Sequence, residues 1–256
     1  YGGGFAHWAS ESGALEVFGI QVRPGEVARE RVRVAEFADG APMTMPLTIV
    51  NGRRPGPTLY LQAGIHGDEV TGTEVAVRLT SQVSPDQLSG VLVTVPIANI
   101  PAYLTRSRCF ALEERAGLNM HGVFPGADTF LTDRIAKTLH DEILVKARYA
   151  IDMHTGLTGA SCYPFSYVCP TDDEDGLLKT REEIALACGA SGVVFYLSRE
   201  DCRKFRSIEN YDATFFEIAH RRGIPTTLWE MGEGGRVTRE FVDLGVEGIR
   251  NVMKHL

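Results

Sequence analysis

Four side chains in this sequence, His66, Glu69, His154 and Glu230, are of the types that carry out metal-assisted hydrolysis. Two imidazoles and one carboxylate are the protein ligands of one class of catalytic zinc site, which leaves a fourth position open to water. Zinc in such a site polarises a carbonyl and lowers the pKa of water toward ~7, but it does not take the proton away. A free carboxylate is needed for that. Glu230 is the best placed candidate, because the run Gly232-Glu233-Gly234-Gly235 follows it and lets a substrate approach the backbone. An H-x-x-E quartet is common by chance, and a lone histidine near a strand end is more often structural than a ligand. The weight comes from the combination: four functional side chains at the carboxyl ends of three predicted strands, as a single cleft requires.

Those strands follow from the residue pattern. Leu59, Tyr60 and Leu61 form an apolar run of the kind a strand buried on both faces shows, and the run breaks at Gly64 and Gly67 around His66. Val75, Ala76, Leu79 and Val83 then recur at helical spacing, so the His66–Glu69 pair lies where a buried strand hands over to a helix. Open α/β sheets place their ligands at such strand ends. A strand from Tyr149 to Met153 delivers Asp152 and His154, which are two residues apart and therefore share a face. Another from Thr226 to Trp229 runs straight into Glu230.

Around this centre, residues 1–30 read as an N-terminal lead-in with a Gly2–Gly4 run and a surface His7, and residues 31–256 as one catalytic domain. Val32 and Val34 alternate with Arg31 and Arg33 as in a half-buried strand, and Thr44 to Val50 reads as a second strand before an Asn51-Gly52 turn. Val91 to Ile97, Cys162 to Cys169 and Val193 to Leu197 are further strands. Helices are expected after a cap at Asp128 or Thr129, from Gly176 to Cys188, from Tyr211 to Arg222, and from about Thr238 to the end. Residues 102–126 have no clean period and are long for a connection, which marks a functional loop holding Arg106, Arg108, Arg115 and His121. Strands alternating with helices throughout argue a layered α/β domain with a largely parallel sheet, with no internal repeat and no interior linker.

Composition narrows the function classes. With 44% hydrophobic and 23% charged residues the 256-residue chain can bury a large core, and disorder is excluded as a description of the whole. A net charge of −7 without a long basic run argues against nucleic acid and anionic membranes as partners. No apolar run approaches the roughly 20 residues of a membrane span, and the start shows no secretory pattern. The five cysteines, Cys109, Cys162, Cys169, Cys188 and Cys202, are odd in number and show no C-x-x-C spacing, which fits a reducing, cytoplasmic setting. There is no G-x-S-x-G elbow for a serine nucleophile.

Several stretches together resemble the succinylglutamate desuccinylase/aspartoacylase family of zinc carboxypeptidase-like enzymes. They are Met45 to Gly52, Pro55-Gly56-Pro57, Ala63 to Glu69, Asn99 to Phe110, Phe124-Pro125-Gly126, Asp152 to Gly156 and Trp229 to Gly232. The similarity runs in order over about residues 22–256. It implies a three-layer α/β/α sandwich around a mixed, largely parallel sheet, one zinc ion per chain, and hydrolysis of an amide bond in an N-acyl amino acid or related small molecule. It further implies His66, Glu69 and His154 as zinc ligands and Glu230 as the base that later protonates the leaving amine. Asp152 is then an orienting residue for a ligand or the substrate. Arg108 resembles the arginine that stabilises an oxyanion, with Arg106 and Arg115 as competitors.

The sequence departs from the family pattern at two places. Before the Phe-Pro-Gly turn the family carries Asn-Arg, which grips a substrate carboxylate, whereas His121 and Gly122 stand here. A charged hydrogen bond of that kind is worth about 1.5–3 kcal/mol, so its loss should alter which substrate is held rather than how water is activated. A substrate without that carboxylate, a grip from Arg199, Arg203 or Arg206, and impaired binding all stay open, and His121 is a candidate substrate contact. The family's smaller C-terminal β domain is not expected in this chain. The leading expectation is a zinc-dependent deacylase acting on a small N-acyl substrate, with a homo-oligomer left open. The alternatives are a zinc carboxypeptidase, disfavoured by the missing arginine, and a non-catalytic zinc-binding protein.

Overall fold

The computed structural model describes residues 13–37, 39–114, 118–168, 176–189, 193–196 and 213–256. The apolar runs of the sequence become the middle of one eight-stranded sheet. Its strands are β3 (Val27–Glu36), β4 (Pro42–Asn51), β5 (Arg54–Ala63), β6 (Ser89–Val95), β7 (Tyr149–His154), β8 (Ser161–Val168), β9 (Val193–Tyr196) and β10 (Thr226–Glu233). They lie in the order β3-β4-β6-β5-β7-β10-β8-β9. The four central strands β6, β5, β7 and β10 are mutually parallel, while β4 on β6 and β8 on β10 are antiparallel. The sheet is thus mixed and largely parallel, as expected.

Alternation along the central strands divides the core in two. Leu59, Leu61, Ile151, Met153, Trp229 and Met231 face one side, where α1 (Thr71–Gln82), α5 (Leu177–Cys188) and α7 (Arg239–His255) cover them. Tyr60, Val93, Val95 and Ala150 face the other side, under α4 (Leu131–Glu142) and α6 (Phe215–Arg221). Each fully buried Leu or Ile contributes about 1.5–3 kcal/mol, so helices are drawn to both faces and three layers result. No helix among the described residues is long and apolar enough to cross a membrane.

The structure differs from the sequence reading at three places. Residues 13–30 are more than a lead-in: a hairpin of β1 (Leu15–Val17) and β2 (Ile20–Val22) buries Leu15, Val17 and Val22 in the core beneath α4. Three-residue strands are too short to show a period. The stretch 102–126 also carries local structure, with α2 (Ile100–Thr105), α3 (Ala111–Glu114) and a 3-10 turn at Met120–Gly122. The N-terminus of α4 is satisfied from a distance, because the Glu113 carboxylate accepts from the backbone N–H groups of Leu131 and Thr132 at 2.8 and 2.9 Å. Locally the Asp133 carboxylate accepts from Phe130 N at 3.3 Å, and Phe130, not Asp128 or Thr129, stands at the N-cap. Glu113, 18 residues upstream, leaves no signal in the local sequence. His7, Arg115, Cys169, Arg199, Cys202, Arg203 and Arg206 lie outside the described residues.

Candidate active site

β5 has β6 on one side and β7 on the other. The chain reaches β6 through α1 on one face and returns through α4 on the opposite face to reach β7. The crevice beyond the end of β5 is therefore a topological switch point, where open α/β sheets bind ligands. The turn carrying His66 and Glu69 packs directly on α2. Gly67 makes this possible, since a Cβ there would lie 2.0 Å from the carbonyl carbon of Ala102. Asn99 fastens the contact by accepting from Ala102 N and donating to the Ile65 carbonyl, both at 3.2 Å.

His66, Glu69 and His154 are buried together, each no more than 3% exposed. The Glu69 carboxylate stands between the rings, with Oε1 2.7 Å from His66 Nδ1 and Oε2 2.8 Å from His154 Nδ1. Oε2 also accepts from the Thr155 backbone at 3.2 Å, and Oε1 from Arg108 at 3.0 Å. The outer ring nitrogens have acceptors of their own: His154 Nε2 is 3.0 Å from Asp152 Oδ2, and His66 Nε2 is 3.0 Å from Asn119 Oδ1. With Nε2 donating to these oxygens, as metal ligation requires, each Nδ1 would be left as an acceptor facing one oxygen of the Glu69 carboxylate. The three residues offer donor atoms within 4.8 Å of one another, a set that fits a divalent ion. Behind them, Asp152 Oδ1 accepts from Gln62 at 3.1 Å, and Gln62 accepts from the Tyr60 hydroxyl at 2.7 Å.

The electrostatics suit a cation. Burial opposes the charge on Glu69, yet His66 and His154 outweigh it and hold the carboxyl well below the usual range. Burial also opposes a charged His154, and Asp152 and Glu69 outweigh that, holding its imidazole well above the usual value. The imidazolium so favoured faces Glu69 with one ring nitrogen and Asp152 with the other, so the site favours positive charge between two carboxylates.

Glu230 pairs in parallel register with His154, so both side chains leave the sheet on the same face. The pairing of β10 with β8 shifts between Glu230 and Gly232, a bulge of the kind that re-aims a side chain, and Gly232 adopts a φ of 84° that favours glycine. Burial pushes the Glu230 carboxyl up to about 7, opposed by His154 and Arg108 and reinforced by Glu69. Cys162 Sγ stands 3.9 Å from Glu230 Oε2, and burial followed by Glu230 pushes its thiol up to about 11.

His121 comes to the cluster from the 3-10 turn. Its ring is 5.1 Å from that of His154 and 5.9 Å from that of His66, with Phe216 at 6.0 Å. Its Nδ1 is buried without a hydrogen-bond partner, 4.0 Å from Asp152 Oδ2. Burial first, then the two neighbouring imidazoles, keep it neutral. His121, Asp152 and His154 form a second group of donor atoms within 4.8 Å of one another, sharing His154 with the first.

Every candidate residue from the sequence that lies among the described residues therefore gathers at one place, except Arg106. That residue is exposed and closes α2 in the left-handed conformation, with φ 49°. Sequence reasoning missed Gln62, Thr155 and Asn119. Gln62 did leave a signal, a lone amide between Leu61 and Ala63 in an otherwise apolar strand. Asn119 left none, since its partner His66 is 53 residues away.

These features define an α/β/α protein with a buried His-Glu-His cluster able to hold a metal, beside a carboxylate of raised pKa. Residues 55–256 match the succinylglutamate desuccinylase/aspartoacylase catalytic domain, and the chain belongs to that family. Over 102 residues it is 36% identical to an N-alpha-acetyl-L-2,4-diaminobutyric acid deacetylase of Halomonas elongata, a match spanning 40% of this chain and 28% of the relative. The fold superposes on the product-bound ectoine utilization protein of Ruegeria pomeroyi with a TM-score of 0.75 and 25% identity, covering 90% of this chain and 67% of that one. A succinylglutamate desuccinylase/aspartoacylase from Rhodobacter sphaeroides gives a TM-score of 0.74 and 28% identity, covering 90% and 65%. The chain thus spans about two thirds of these solved relatives.

Proposed function

We propose that this protein is a zinc-dependent amidohydrolase that removes the acyl group from an N-acyl amino acid or a related small molecule, with His66, Glu69 and His154 as the metal ligands. The observation that carries this reading is the convergence of both Nδ1 atoms on the Glu69 carboxylate, with Glu230 in register beside His154. The deacetylase and desuccinylase names of the relatives support the substrate class. When bound, zinc would supply Lewis acidity toward the acyl carbonyl and toward water.

The chain's own groups do the rest. Asp152 and Asn119 fix the tautomers and directions of His154 and His66. Glu230 takes a proton from the attacking water on its carboxylate and passes it to the amine nitrogen as the C–N bond breaks, so a C–O bond replaces a C–N bond and the charges balance. Arg108, whose guanidinium already reaches Glu69, offers positive charge for the oxygen of the acyl carbonyl. His121 presents a neutral imidazole beside the cluster, with its Nδ1 buried and without a hydrogen-bond partner, and is assigned to substrate contact. The reduced Cys109, Cys162 and Cys188 are in keeping with a cytoplasmic enzyme.

A panel of N-acetyl and N-succinyl amino acids, including N-acetyl-2,4-diaminobutyrate, together with short peptides, assayed with and without a chelator, tests the reading. Chelator-sensitive release of free amine from an N-acyl amino acid is expected. Turnover that survives complete metal removal, or turnover confined to peptides, would sink it.

A further inference from the structure

Asp68 lies between His66 and Glu69, yet its carboxylate serves neither. It is 6% exposed, and its Oδ2 accepts from Thr158 Oγ1 at 2.8 Å. Its backbone carbonyl accepts from Gly235 N at 2.5 Å. Thr158 in turn pairs with Gly234 as an isolated bridge, and Gly156 N donates to the Gly232 carbonyl at 3.1 Å. One residue thereby joins the segments that follow β5, β7 and β10, the three strands that deliver the ligands and the base. The join matters most for Glu230. Its strand is bulged between Glu230 and Gly232. The ladder with β8 resumes at Gly232 and Glu233, but the ladder with β7 ends at Glu230, so on that side the strand end is held by ties from the turns.

We infer that Asp68 is a positioning residue, which through Thr158 and Gly235 fixes the strand end carrying Glu230 against the turn carrying His66 and Glu69. The inference rests on the proposed function for its catalytic consequence. Misplacing a reacting group by ~1 Å can cost about 10²-fold in rate, whereas the ligand turn is held independently by Gly67, Asn99 and Arg108. Loss of Asp68 should therefore slow turnover without removing the metal. A neutral acceptor can still take the Thr158 hydroxyl, so Asp68→Asn is the conservative variant.

The test compares Asp68→Ala, Asp68→Asn, Thr158→Val and the Asp68→Ala/Thr158→Val pair, each loaded with zinc. In Asp68→Ala, kcat on the best N-acyl substrate should fall about ten-fold or more, with KM within about two-fold and zinc still near one per chain. Asp68→Asn should restore kcat, Thr158→Val should reproduce much of the loss, and the double variant should be no slower than the worse single one. Amide hydrogen exchange in peptides covering 156–160 and 232–236 should rise in Asp68→Ala and not in Asp68→Asn, which reads the tie without any turnover. Unchanged kcat or unchanged exchange in Asp68→Ala, concurrent loss of zinc, or failure of Asp68→Asn to restore kcat overturns the inference. A wild-type protein that hydrolyses no N-acyl substrate sinks the proposed function alone, and the exchange arm then still decides whether Asp68 ties these segments together.

Discussion

His154 and Glu230 are register partners on neighbouring parallel strands, so the backbone ladder itself sets a proposed ligand and a proposed base side by side. The ladder fixes this pairing, and the Asp68–Thr158 tie holds the strand end just beyond it. Glu230→Gln keeps the shape and the strand while removing the basic oxygen. Turnover should fall by about 10²–10⁴-fold with zinc retained, checked by steady-state kinetics alongside metal analysis. The pH profile carries the same signature. Burial pushes Glu230 up to about 7, and a base must be deprotonated to act, so kcat/KM should rise with pH. A divalent ion nearby stabilises the carboxylate, which places the acid limb at or below about pH 7. Glu230→Gln should abolish that limb.

His66→Ala removes one of three proposed ligands and leaves Glu69 with one imidazole fewer. Bound zinc measured after gel filtration should drop from near one per chain to a small fraction. Asp152→Asn leaves all three ligands but weakens the acceptor that orients His154, so affinity should fall by about 10–100-fold in a chelator competition. Full zinc occupancy in His66→Ala would remove that residue from the ligand set.

The thiol of Cys162 is pushed up to about 11, so at pH 8 the reactive thiolate is scarcer than in a free cysteine by roughly two orders of magnitude. Iodoacetamide labelling of this residue, followed by peptide mass spectrometry, should be slow at pH 8 and rise through about pH 11. Glu230→Gln removes a negative neighbour and should speed it up at fixed pH. Labelling as fast as an ordinary thiol would contradict the buried contact with Glu230.

Gly67→Ala places a methyl against the backbone of Ala102 and Tyr103, where no side-chain rotation can relieve the clash. Overpacking of this kind costs about 1–3 kcal/mol. The denaturant midpoint should shift accordingly, and zinc affinity should fall with it, because the turn holding His66 and Glu69 must move off α2.

Much of the site was legible because it rests on short-range rules. His66 and Glu69 are three apart in one turn, Asp152 and His154 two apart on one strand, and strands that end at glycine are visible as apolar runs. Side-chain type and strand-end position, together with the family resemblance, were enough to nominate the three proposed ligands and Glu230. The hairpin at Leu15–Val22 and the capping of α4 by Glu113 were not legible, since one is too short to have a period and the other spans 18 residues.

The sequence by itself determined the alternation of strands and helices, the identity of the ligand and base candidates, and the family to which the chain belongs. Tertiary structure alone decided what surrounds them. It brought Asn119 to His66 across 53 residues, set the Tyr60–Gln62–Asp152 chain behind His154, and closed the strand ends through Asp68 and Thr158. It also set the unpaired Nδ1 of His121 beside the cluster. The reason is physical. Backbone periodicity fixes where a side chain lies along its own element, but the order of strands in the sheet fixes which elements meet, and hydrogen bonds between them have no counterpart in local sequence.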